Sequence, residues 1–190
     1  PLRAAGLEYK IEVSWCNNWQ KAIMRSAEKF GATRILIRAG KPKTPSRFSF
    51  AESKWKLLKG ATCPVLIVRD GAAEQRKVVL AAVNFQASRD HQQQLNANIL
   101  AHGKWLAENY GADLHVVNAY IDSMHYPDRG NLAKEAGLVS KNIHVVKGYT
   151  DEAVAETAQK LNADLVIMGT LGQTGLIKTR RGNTAERVIS

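Results

Sequence analysis

Two stretches of the chain read alike, and the pattern they share leaves few folds open. KIEVSWCNNWQKAIMRSAEKFGATRILIRAG, from Lys10, and NIHVVKGYTDEAVAETAQKLNADLVIMGT, from Asn142, each carry a short apolar run, a helical stretch of about three turns and a second apolar run. In the first helix Ile23, Ala27 and Phe30 fall at i, i+4 and i+7, and in the second Val154, Ala158 and Leu161 do the same. AEKFGA answers AQKLNA at an offset of 131 residues, Ala27 against Ala158. Between the two stretches KVVLAAV (77–83) reads as a buried strand. A helix follows from about His91 to Tyr110 with Leu95, Ile99, His102 and Leu106 on one stripe, and then a strand in ADLHVVNAY (112–120). Strands alternating with helices of this length imply βαβ crossovers and a parallel sheet, and nearly continuous apolar strands imply a sheet covered on both faces. The expected fold is therefore α/β, built of Rossmann-like parallel sheets in two tandem repeats.

The repeats divide the chain into residues 1–72 and 73–190. Neither is whole on this reading. The first opens in mid-unit, and the second stops at AERVIS, where a further strand is expected. KPKTPSRF and DSMHYPDRGNLAKEAG are polar stretches where further segments could be absent. This incompleteness bears on charge. The formal net charge is +10, of which residues 1–70 carry +9. A basic half suits a polyanion partner, but an incomplete repeat removes the weight of that argument, so a nucleic-acid partner is disfavoured. No apolar run approaches the roughly 18 residues of a membrane span. Cys16 and Cys63, without a CxxC pair, predict reduced thiols rather than a disulfide framework or a zinc site.

The chemistry concentrates in LVIMGTLGQTGLIKTRRGNTAERV. An apolar strand ends at Met168. Gly169 and Gly172 follow, and after nine more residues come Gly182, Asn183 and Thr184 at the start of a helical pattern. In open α/β sheets ligands bind beyond the carboxyl ends of the strands. Glycines there let backbone N–H groups approach an anion with no Cβ in the way. Asn183 or Thr184 can cap the helix, and Lys178, Arg180 and Arg181 can add charge. The chain has no G-x-x-x-x-G-K-[ST] and no G-x-G-x-x-G after this strand, which excludes a Walker A loop and a dinucleotide fingerprint.

The spacing Gly169, Gly172, Gly182, with Asn183 in the following position, resembles the G-x-x-G-x(9)-G-[ST] signature of the universal stress protein family, and the likeness extends over nearly the whole chain. GNTAE in place of the hydroxyl form resembles a tandem bacterial subgroup of that family. The resemblance implies a Rossmann-like layer of the adenine nucleotide alpha hydrolase type and a nucleotide held in the second repeat. The ligand it implies is ATP, a related nucleotide or a nucleotide sugar, with Mg²⁺ left open. Carried over by position, Asn84 stands where nucleotide-binding members have an Asp near the ribose. Val116 stands where a backbone meets adenine. Met168 and Gly169 would line the nucleoside, and Gly172, Gly182, Asn183 and Thr184 would hold phosphates. The first repeat has Arg38 and Lys41 where the second has Gly169 and Gly172, so only the second is expected to bind. The resemblance further implies a cytoplasmic, non-enzymatic regulatory protein of stress resistance, including resistance to DNA damage. It also implies self-association, met in part by a pseudo-dimer within the tandem chain. The alternative on the same site is a slow ATPase or nucleotidyl hydrolase.

Other candidates carry less. His91, His102, His115, His125 and His144 show no tight metal-ligand spacing, and His115 and His144 on neighbouring strand segments read as structural. Asp151 and Glu152 follow Thr150 at a helix start, where carboxylates complement the helix dipole. No G-x-S-x-G elbow supports a serine hydrolase. Trp15, Trp19, Trp55 and Trp105 read as core or interface anchors.

Overall fold

The computed structural model describes residues 4–39, 55–170 and 184–189. It divides into two compact units, Pro1–Asp70 and Gly71–Ser190. In the second unit the apolar runs become four strands, β3 (Val78–Val83), β4 (Asp113–Tyr120), β5 (Ile143–Lys147) and β6 (Leu165–Met168). All pair in parallel, in the order β5-β4-β3-β6. Parallel neighbours need a crossover between them. Helices α3 (Asp90–Tyr110), α4 (Arg129–Ala136) and α5 (Thr150–Leu161) lie on these crossovers, and α6 (Thr184–Ile189) follows β6. β3 is central, and five of its six residues are buried. Residues alternate between two cores across the sheet, as a two-residue strand period requires. Val79, Ala81, Leu114, Val116 and Ile143 pack with Ile99, Leu100 and Leu132 on one face. Leu80, Ala82 and Val117 pack with Val154, Ala158 and Val188 on the other.

Polar side chains fix the ends of the central strand. Asp164, just before β6, accepts the N–H groups of Lys77 (2.8 Å) and Val78 (3.0 Å), which joins β6 to the start of β3. Those two backbone donors hold its carboxyl below the ordinary carboxylate range. Asp151 in the first turn of α5 forms an ion pair with Arg187 of α6.

The first unit holds α1 (Trp19–Phe30), α2 (55–60) and two parallel strands, β1 (Ile35–Ala39) and β2 (Val65–Arg69). Its helix α1 ends as its counterpart at the 131-residue offset does, and as α3 and α4 do. α1 ends on Gly31 at φ 66° and α5 ends on Asn162 at φ 49°, both left-handed. Each cap repeats the same pair of bonds, with Ala32 N–H to Ala27 C=O and Ala163 N–H to Ala158 C=O both at 2.8 Å.

Two expectations require correction. KIEVSW is not a strand. Residues 7–16 make no ladder, and Ile11, Val13 and Trp15 are 77%, 86% and 101% exposed. Alternation of apolar and polar residues chooses faces, but a strand also needs a neighbour's N–H and C=O groups. Among the described residues β1 and β2 pair only with each other. Phe30, placed on an apolar stripe of α1, is likewise exposed. Nor do the tryptophans anchor a core: Trp15, Trp19 and Trp105 are exposed, and Trp55 is half-buried with Lys59 Nζ 5.2 Å from its ring centroid.

Candidate functional site

The strand order itself locates a crevice. From β3 the chain moves outward to β4 and β5, then returns to the other side of β3 with β6. At such a reversal the crossovers leave on opposite faces and the carboxyl ends splay apart. A cavity of about 760 Å³ lies there, within the second unit. Its walls come from the end of β3 (Ala82, Val83, Asn84, Gln86), from α3 (Gln92, Leu95, Asn96, Ile99) and from the exit of β4 (Ala119 to Asp122, then His125). Gly148 and Thr150 add a third wall, and Met168, Gly169, Thr170 and Thr184 a fourth.

Amides set the shape of the β3 exit. Asn118 is fully buried in β4, and its Oδ1 accepts the Phe85 N–H at 2.6 Å. Its Nδ2 donates to Gln86 Oε1 (3.0 Å) and to its neighbour's carbonyl at Ala119 (2.9 Å). Gln86 Nε2 in turn donates to the carbonyls of Ala119 (3.2 Å) and His125 (3.0 Å). Asn96 on α3 closes the other side. It accepts the Asn84 N–H at 3.0 Å and donates to the Asn84 C=O at 2.7 Å. Both backbone groups of Asn84 are thereby used within the protein, while its exposed side chain stands at the cavity wall. At the β6 exit a Cβ on Gly169 would stand 2.6–2.7 Å from Cγ, Cδ1 and Cδ2 of Leu95. The glycine is what lets α3 come this close to the strand end.

Of the residues singled out by sequence, Asn84, Met168, Gly169 and Thr184 meet around this cavity. Val116 does not. It is fully buried in mid-strand, in register with Ala81 on one side and Ile143 on the other, and the part of β4 that reaches the cavity is Ala119 and Tyr120. Gly172, Gly182 and Asn183 lie outside the described residues. The sequence reading missed Gln86, Asn96, Asn118 and Asp122. Asn118 had a signal: it is an amide inside the apolar run LHVVNAY, and a buried polar residue is informative where an exposed one is not.

The histidine pair sits away from the cavity. His115 Nδ1 and His144 Nε2 lie 3.1 Å apart and their rings stack at 5.3 Å. Burial holds both imidazoles below the ordinary histidine value. For His115, Asp113 opposes this and Lys141 adds to it, and for His144 the charges of His115 and Arg129 add to it. They satisfy one another, and among the described residues no three acidic, cysteine or histidine side chains converge as metal ligands. No helix among them is long and apolar enough to cross a membrane.

The sequence model of the universal stress protein family matches residues 119–190, which supply the β4 exit, α5, β6 and the glycine loop. The universal stress protein E homolog of Haemophilus influenzae is 29% identical over 207 aligned residues, covering 97% of this chain and 67% of that protein. The chain is thus similar to universal stress proteins over nearly its whole length. Among solved structures, a Pseudomonas aeruginosa protein of unknown function matches at TM-score 0.84 and 27% identity, over 99% of this chain and 70% of that one. A universal stress protein from Archaeoglobus fulgidus matches at TM-score 0.75 and 19% identity, over 99% of this chain and 67% of that one, a likeness of fold alone. The chain spans about two thirds of the length of the curated relatives it matches.

Proposed function

We propose that the second unit of this chain binds a nucleotide or nucleotide-containing ligand in the cavity beyond β3, β4 and β6. The observation that carries the reading is the coincidence of that cavity with Asn84, Met168, Gly169 and Thr184, at the reversal of strand order. The strand that forms one wall runs on in sequence into the glycine spacing of Gly169, Gly172 and Gly182. On this reading Gly172, Gly182, Asn183 and Thr184 hold the phosphates, while Asn84, Met168 and Gly169 flank the nucleoside. ATP, related nucleotides and nucleotide sugars fit the same description, with or without Mg²⁺.

The role follows from the site. Asp122 is the one carboxylate among the described cavity residues, so no acid–base pair of carboxylates faces the cavity there. That favours a binding and regulatory protein over a hydrolase. The name of the matched family supports a role in stress resistance, and the proposal extends it, as the resemblance implies, to the cytoplasm, to resistance to DNA damage and to self-association.

The test is direct. Protein purified from its own cells is denatured, and the released small molecules are identified by mass spectrometry. Thermal unfolding is then measured with ATP and with nucleotide sugars. A ligand at 100 times its Kd should stabilise the folded unit by about 2.7 kcal/mol. An extract without nucleotide, combined with no thermal response to either class, overturns the reading.

A further inference from the structure

Asn84, just past the end of β3, brings an amide and no charge to the cavity. Among the described lining residues one carboxylate is present, Asp122, just past the end of β4. We infer that Asp122 accepts the 2′- and 3′-hydroxyls of a ribose. This assignment rests on the nucleotide reading above and names the sugar contact within it.

Three observations support it. First, Asp122 lies two residues beyond the end of β4 and lines the same cavity as Asn84, one strand away. Second, its carboxylate is held in place. Oδ1 accepts the Met124 N–H at 2.7 Å, where Asp122 caps a short 3₁₀ turn, and Oδ2 lies 3.5 Å from His125 Nδ1. The turn is itself tethered, because Gln86 donates to the His125 carbonyl and is gripped in turn by the buried amide of Asn118. A carboxylate fixed in this way does not have to be ordered when a ligand arrives. Third, the charge pattern selects what it can receive. Asp122 is the only acidic residue among the described lining residues, and no Lys or Arg is among them. This wall therefore repels phosphate and attracts hydrogen-bond donors. Carboxylate oxygens at a strand end accept ribose hydroxyls in dinucleotide folds for the same electrostatic reason. The far wall, at Met168 to Thr170, lies two strand spacings away, about 10 Å, across the end of β3. A nucleotide lying along that line puts its sugar by Asp122 and its phosphates toward the β6 side.

The experiment measures binding of ATP, GTP, CTP and UTP, and of their 2′,3′-dideoxy forms, to the full chain and to D122N. Asn keeps an Oδ1 acceptor for the Met124 N–H, so the turn is preserved while the charge and one acceptor are lost. The parent protein should prefer the ribose form by about tenfold to a hundredfold, as expected for hydrogen bonds to a charged acceptor. In D122N that preference should collapse, with dideoxy binding unchanged. Unchanged dideoxy binding also reports that the site is still folded. A D122N protein that keeps the parent's preference for ribose overturns the assignment and leaves the nucleotide reading standing. A parent protein that binds none of the eight nucleotides overturns the assignment, and the extract and nucleotide-sugar measurements above then decide the nucleotide reading separately.

Discussion

Replacing Gly169 with alanine tests the wall of the site at one atom. The added Cβ would meet three Leu95 carbons at 2.6–2.7 Å, whereas ordinary contact begins at 3.4 Å. Leu95 has to withdraw by about 0.8 Å, and because its branch carbon is one of the three, rotating the terminal methyls does not clear the clash. Its other side is packed against the core cluster of Val83 and Ile99, so the retreat narrows the cavity or strains α3. Overpacking of this kind costs about 1–3 kcal/mol. Because the chain has two units, a whole-protein melt would mix their transitions, and hydrogen exchange of the β3 amides reads the second unit alone. At about 1.36 kcal/mol per decade, a cost of 2 kcal/mol accelerates that exchange about 30-fold. The decisive comparison is the double-mutant cycle with Leu95→Ala. Leu95→Ala by itself removes a partly buried side chain and destabilises. Combined with Gly169→Ala it removes the obstacle, so the pair should recover about 1–2 kcal/mol relative to the sum of the single changes. Additive effects, or Gly169→Ala exchange equal to that of the parent, would refute the close approach of α3 to the β6 exit.

Other consequences can be measured independently. Asn118→Leu leaves the Phe85 N–H without its buried acceptor and frees Gln86, at a cost of about 1–3 kcal/mol, and should speed Phe85 amide exchange more than that of other β3-exit amides. A response of the same size at every amide would show that Asn118 serves general packing instead. The His115–His144 pair predicts a pH slope. Both rings titrate below the ordinary histidine value of 6.5 in the folded state, so the unfolded chain takes up protons first. The stability this pair contributes is therefore complete above that value and is lost as pH falls below it toward the folded titrations. H115Q/H144Q should flatten the acid side of a denaturation-midpoint curve, and an unchanged curve counts against the pair. Arg187→Ala strands the half-buried carboxylate of Asp151, so exchange in α6 should rise, and adding Asp151→Ala should cost less than either change predicts alone. Strict additivity there would mean that the ion pair contributes nothing.

The second unit was largely legible because its signals were redundant. Continuous apolar runs, helical stripes and crossover lengths all specified a parallel sheet, and each expected strand between Lys77 and Met168 formed. The Gly31 and Asn162 caps agree at the repeat offset, but Gly111 and Gly137 end α3 and α4 in the same left-handed way, so the cap marks a helix end and not a repeat. KIEVSW misled because alternation is a property of one segment and pairing is a property of two. Val116 was placed by position within a motif, and a motif cannot show that the residue lies in mid-strand between two neighbours. Asp122 and Gln86 were invisible for a different reason. Asp122 meets Asn84, and Gln86 meets the β4 exit, only after β3 and β4 lie side by side, and no spacing along the chain encodes those encounters.

β6 is only four residues long and among the described residues pairs with β3 alone. The cavity wall passes from the end of this short outer strand, across β3, to the exit of β4. A ligand touching both walls would therefore act as a splint, clamping the sheet's least supported member to its best supported one. β5, on the opposite edge, meets the cavity only through Gly148, just past its end. Occupancy would then stiffen one border of the molecule, so that the concentration of a small metabolite sets how firmly that border is held.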